Sequence, residues 1–144
     1  TTITFRIKKE MRDIDKIIIH CSATPEGRDV KTSTIKQWHT AKGWSDIGYH
    51  YVIELDGSVN MGRDIDRIGA HTRGENTGSI GICYVGGMDA NMKNPKDTRT
   101  EKQKEALKCL ISDLKSTYGD LTVHGHNEFA SKACPSFDVQ KENY

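Results

Sequence analysis

The run His126-Asn-Glu-Phe-Ala-Ser-Lys132-Ala-Cys134-Pro-Ser places an imidazole, an ammonium and a thiol close together in the chain. Far upstream, His20 closes the apolar run Ile17-Ile18-Ile19. Two imidazoles and one thiolate are three good zinc ligands with a fourth position left open. An open position is what separates a hydrolytic zinc from a structural one. If these three residues meet in space, a hydrolase is expected. The bare spacing between His126 and Cys134 is a weak signal. A competing reading makes Cys134 a nucleophile with His126 as its base. His50, His71 and His124 are further histidines that a metal could take. Lys132 is either a solvated charge or a group that stabilises an oxyanion beside the site. Tyr49 could do similar work by hydrogen bonding. Its neighbour His50 falls on the opposite face of the same strand, and the pattern alone does not choose between them.

Positioning these groups requires an alternating α/β chain. Lys16–His20 reads as a strand buried on both faces, because isoleucine runs continuously through it. His20 then sits at the carboxyl end of a strand, where α/β sheets place their sites. Cys21 should point to the other face. Ser33 or Thr34 is placed to cap a helix running to about Lys42, with Ile35, Trp38 and His39 on one face and Gly43 as its stop. Tyr49–Leu55 and Ser58–Gly62 form a hairpin around Asp56-Gly57. Residues 63–78 read as irregular surface, Ile80–Val85 as a buried strand, and 88–99 as a polar loop. Thr100-Glu-Lys-Gln103 is a capping box. It opens a helix with Ala106, Leu107, Leu110, Ile111 and Leu114 on one face, ended by Gly119. Leu121–His124 is a last short strand, and 125–138 a loop. The order β-α-β-β-β-α-β predicts a single α/β domain with a mixed central sheet flanked by helices.

The bulk properties agree. The chain has 144 residues, about one domain by length, with 35% apolar and 28% charged residues. That balance suits a soluble globular domain. The formal net charge is +1, with no long run of one sign, so no nucleic-acid partner is expected. Nothing is apolar and long enough to suggest a membrane span. Four widely spaced cysteines do not make a disulfide framework. Cys83 and Cys109 read as small buried hydrophobes. Residues 1–10 read as an N-terminal extension or an expression remnant, and 11–144 as the catalytic domain.

Several motifs in one order resemble the type 2 N-acetylmuramoyl-L-alanine amidases. They are His20-Cys-Ser-Ala-Thr24, Gln37-Trp-His39, Gly48-Tyr49-His50, Gly62-Arg63-Asp64, Ser79-Ile-Gly-Ile-Cys83, Val85-Gly-Gly87 and Lys132-Ala-Cys-Pro-Ser-Phe-Asp138. That family includes phage lysozymes of the T7 type, which are amidases, and the peptidoglycan recognition proteins. The similarity runs from about Asp13 to Asp138. The resemblance implies zinc, one ion per chain, held by His20, His126 and Cys134 in a surface groove. It implies catalytic roles for Tyr49 and Lys132, and places His71 and Asn76 near substrate. The implied reaction is hydrolysis of the amide joining the lactyl group of N-acetylmuramic acid to L-alanine in bacterial peptidoglycan. A monomer of phage or prophage type is expected, cytoplasmic until released to the wall. Two rivals are a peptidoglycan-binding module that does not cut, and a regulator of a phage polymerase. Non-cutting relatives typically lack the cysteine ligand, so Cys134 favours catalysis.

Overall fold

The computed structural model describes residues 12–144. The extension expected over residues 1–10 lies outside them. β1 (Lys16–Cys21) is the second strand from one edge of a five-stranded sheet ordered β4-β3-β5-β1-β7. β5 (Ser79–Tyr84) and β7 (Thr122–Gly125) flank β1, and both run parallel to it. β3 (Tyr51–Ile53) is parallel to β5, while β4 (Val59–Met61) returns antiparallel along β3. The sheet is mixed, as predicted. Ile17, Ile18 and Ile19 are fully buried, because β1 has strands on both sides and packed layers on both faces.

Those layers can be read from β3. Val52 and Ile53 are sequence neighbours, and side chains alternate across a strand. Ile53 joins the larger core cluster with Ile17, Ile82 and Leu107. Val52 joins a smaller one with Val30, Ile35, Ile47 and Val85. α1 (Thr32–Ala41) contributes Ile35 to the smaller cluster, and α2 (Glu101–Tyr118) contributes Leu107, Ile111 and Leu114 to the larger.

The start of α2 follows the expected capping box. Gln103 N donates to Thr100 Oγ1 at 3.0 Å, and Thr100 N donates to Gln103 Oε1 at 2.9 Å. Gln103 is also fully buried, and its Nε2 donates to Val85 O at 2.9 Å. One side chain thus caps a helix and satisfies a sheet carbonyl. Gly119, at φ 95°, ends the helix as predicted.

Four details differ from expectation. α1 begins at Thr32, and its N-terminus is capped from outside the helix. Glu54 Oε2 accepts from Thr32 N at 2.9 Å and from Thr32 Oγ1 at 2.7 Å. A carboxylate at a helix start also suits the helix dipole. Trp38 is 38% exposed, since only Ile35 and His39 of that face reach the sheet. Cys109 is exposed; it lies on the flank of α2 that faces solvent. A second sheet, absent from the predicted order, pairs β2 (Thr24–Pro25) with β6 (Gly87–Met88). Two-residue strands carry no readable periodicity.

Replacing Gln103 with Ala removes the Gln103 half of the capping box, leaving Thr100 N without its partner, and strands the Val85 carbonyl in the core. The expected loss of stability is about 2 kcal/mol by urea unfolding. A loss under about 0.5 kcal/mol would show that water reaches both groups.

Candidate metal centre

The parallel register brings the site together. Ile19 lies opposite Gly125, so the carboxyl ends of β1 and β7 finish side by side. His20 follows Ile19 on β1, and His126 follows Gly125 at the start of a 3-10 turn, His126–Glu128. The two rings lie 4.6 Å apart between centroids. Glu128 fixes that turn by accepting from Gly125 N at 2.7 Å.

Cys134 arrives from the loop that follows. Tyr84 Oη, at the end of β5, donates to Pro135 O at 2.6 Å. Ser136 Oγ donates to Gly87 O at 2.8 Å. Phe137 lies under the Arg99 guanidinium, 3.5 Å from ring centre to Cζ. Arg99 is itself clamped by Asp97 at 2.8 Å and Glu142 at 2.7 Å. These contacts hold the loop against the sheet edge. Cys134 Sγ accepts from Cys21 N at 3.2 Å and lies 3.9 Å from His20 Nδ1.

One donor atom each from His20, His126 and Cys134 falls within 4.8 Å of the others. Zinc bonds of about 2.0–2.3 Å in a tetrahedron separate ligand atoms by about 3.3–3.8 Å. The His20–Cys134 spacing is already close to that range. Two imidazoles and one thiol also form a borderline-soft donor set, which suits zinc. Cys21 turns into the core on the other face, as alternation predicts.

Protonation agrees with a ligand role for the rings. Burial, and then the neighbouring His71, His126 and Lys132, hold His20 well below the usual histidine range. Burial and then Lys132 lower His126. Both rings therefore offer lone pairs at neutral pH. The Cys134 thiol is pushed up by its contact with Cys21 and then by burial. A bound divalent cation reverses that and holds a thiolate.

The other histidines are engaged elsewhere. His39 Nδ1 accepts from Gly48 N at 2.9 Å. His50 Nδ1 accepts from Gly81 N at 3.0 Å, and its Nε2 donates to Arg67 O at 2.8 Å. His124 pairs with Glu128 through Nδ1 and with Thr122 through Nε2, both at 2.9 Å. β7 ends at Gly125, so the strand parity that would align His124 with His126 does not extend that far.

Tyr49 packs beside the site, with its ring 5.1 Å from His20 and 5.4 Å from His39. It precedes β3 rather than lying within it. Burial, then the nearby Cys83, Cys134 and Cys21 thiols, raise its phenol well above the usual range. It is a neutral hydrogen-bond donor at any physiological pH. Lys132 is exposed and lines a cleft of about 450 Å³ with His71, Arg73, His126 and Phe129. A second cleft of about 310 Å³ is lined by Trp44, Ala70, His71, Thr72, Arg73 and Asn76.

His71 and Asn76 border these clefts, but their polar atoms are bonded inside the protein. Asn76 Oδ1 accepts from His71 N at 3.0 Å and from Thr72 N at 2.8 Å. His71 Nδ1 faces His20 Nε2 at 2.9 Å. Burial pushes His71 down to about 3. Thr72, Trp44 and Arg73 are groove residues that sequence reasoning missed. Thr72 and Arg73 belong to the irregular 63–78 segment, where no periodicity marks a direction.

The architecture is a mixed α/β domain with a His-His-Cys cluster that could hold a metal ion, next to a cleft. Residues 10–137 match the family described as N-acetylmuramoyl-L-alanine amidase. The endolysin of Enterobacteria phage K11 is 43% identical over 130 residues, covering 90% of this chain and 85% of that protein. The endolysin of Escherichia phage T7 is 41% identical over 133 residues, covering 92% and 87%. Among solved structures, the N-acetylmuramoyl-L-alanine amidase LysC from Clostridium intestinale URNW superposes with a TM-score of 0.77. It is 26% identical, with 92% of this chain and 83% of that one covered. The chain belongs to the N-acetylmuramoyl-L-alanine amidase family, and it is an amidase by class.

The buried histidines make stability pH-dependent. His50 is held down to about 4 against an ordinary 6.5, chiefly by burial. Its folded value lies below its unfolded one, so the unfolded chain binds the proton more tightly. Stability is complete above pH 6.5, falls as the pH drops, and levels off below about 4. Between pH 6.5 and pH 5, His50 alone is expected to cost metal-free protein about 2 kcal/mol. His71 acts in the same direction. Urea unfolding at the two pH values checks this, and equal stabilities would mean that His50 is charged in the folded state.

Proposed function

We propose that this chain is a zinc-dependent endolysin. It hydrolyses the amide between the lactyl group of N-acetylmuramic acid and L-alanine of the stem peptide in peptidoglycan. The single observation that carries the zinc reading is the convergence of His20, His126 and Cys134, with His126 also lining a cleft. Membership of the amidase family supports the choice of bond, and the phage endolysins among its relatives support the wall as target.

His20, His126 and Cys134 would hold the zinc. When bound, zinc supplies a Lewis acid for the scissile carbonyl and lowers the pKa of water. Tyr49 keeps its proton and donates a hydrogen bond to the oxygen on which negative charge develops. Lys132 brings an ammonium to the same rim, and opposite charge there is worth most in the transition state. The walls from Trp44, Ala70 and Thr72 exclude water from one side of the substrate. Asn76 shapes the loop that carries His71 and Thr72. Among the described residues no helix is long and apolar enough to cross a membrane.

Purified protein is expected to carry about one zinc per chain, and Cys134→Ala is expected to lose both metal and turnover. Full activity of metal-free protein would defeat the zinc assignment. Tyr49→Phe and Lys132→Ala should each retain zinc while kcat/KM falls by about 10²–10³-fold. Unchanged rates would demote them to packing roles. Mass spectrometry of digested muropeptides should show free stem peptide beside intact glycan. Cleaved glycan with the stem still attached would identify a different bond.

A further inference from the structure

We infer that His71 is a positioning residue that sets the tautomer of His20, so that His20 offers Nδ1 to the metal. The inference deepens the zinc reading and rests on it.

Ser79 Oγ donates its only proton to Glu75 O at 2.7 Å. Its lone pairs therefore face His71 Nε2, 3.4 Å away. A neutral His71 carries its proton on Nε2, toward Ser79, and is left with an acceptor at Nδ1. That acceptor lies 2.9 Å from His20 Nε2. His20 must then hold its proton on Nε2. Thr72 Oγ1 lies 2.9 Å from His71 Nδ1 and 3.2 Å from His20 Nε2, so its hydroxyl donates to the first and accepts from the second, which keeps Nδ1 of His71 an acceptor and the His20 proton on Nε2. The remaining lone pair of His20 is on Nδ1, the atom that faces Cys134 Sγ. Which nitrogen of a histidine takes a metal is set by the hydrogen bond made by the other nitrogen.

The His71 ring has little freedom to do otherwise. A Cβ on Gly81 would come within 2.5 Å of it, and one on Gly69 within 2.7 Å. The Cδ2 edge of the ring packs against two backbones that only glycine lets approach so closely. Asn76 Oδ1 holds the His71 main chain. The acceptor is thus fixed in both position and direction before any metal arrives.

Zinc-loaded, ¹⁵N-labelled full-length protein tests the inference without any mutation. Long-range ¹H–¹⁵N spectra should show His20 protonated at Nε2, with a through-hydrogen-bond coupling from that nitrogen to His71 Nδ1. His71→Phe keeps an aromatic ring against the two glycines and removes the acceptor. Zinc affinity, measured by chelator competition, should fall about 10–100-fold. His71→Asn returns an acceptor near the same point and should recover much of the loss. A role in packing alone would not produce that rescue. Wild-type affinity in His71→Phe, or His20 protonated at Nδ1, would overturn the inference while leaving the zinc reading intact. A wild-type protein that takes up no zinc would overturn both.

Discussion

β1 is hydrogen-bonded in parallel to β5 on one side and to β7 on the other, and the position of the site follows from that double pairing. Parallel strands end at the same edge of a sheet. With Ile19 opposite Gly125, the residue that follows each of them is a histidine. Two residues more than a hundred positions apart thus meet with no loop to span the gap. The third donor needs a different device, since no strand delivers it. A loop doubles back, and Tyr84 and Ser136 pin it to the ends of β5 and β6.

Hydrogen-bond satisfaction then selects which imidazoles remain free to bind a metal. A buried ring nitrogen without a partner costs about 1–3 kcal/mol. Among the described residues no buried side-chain nitrogen or oxygen lacks a partner. His39 and His50 are tied to backbone amides, and His124 to a carboxylate and a hydroxyl. Each is held by the scaffold. His20 is the one fully buried ring with a nitrogen directed at the thiol. His71 occupies a middle position, bonded inward while edging the groove. The same burial that keeps these rings neutral makes acid a destabilising condition, so metal binding and acid sensitivity share one cause.

Much of this was legible in local pattern. The isoleucine run announced a strand buried on both faces, and Thr100 with Gln103 announced a helix start. His20, His126 and Cys134 were legible as chemistry from residue type, and the family motifs narrowed the choice. Trp38 was placed inward by helical periodicity, but how far an apolar stripe is buried depends on the width of the partner surface; Cys109 was placed inward by residue type alone, although it lies off the apolar face of its helix. The cap of α1 came from Glu54, twenty-two residues away in sequence. No local rule contains such a partner.

Sequence by itself determined the main strands and helices, their order and the ligand types, because these rest on periodicity, capping chemistry and donor softness, all of which act over a few residues. Only the tertiary structure decided which histidine nitrogen faces the thiol, which rings are struts, and which side chains wall the groove. Those outcomes depend on register between distant strands and on the partner found by each buried polar atom. Such pairings act across space, and they leave no mark on residue spacing.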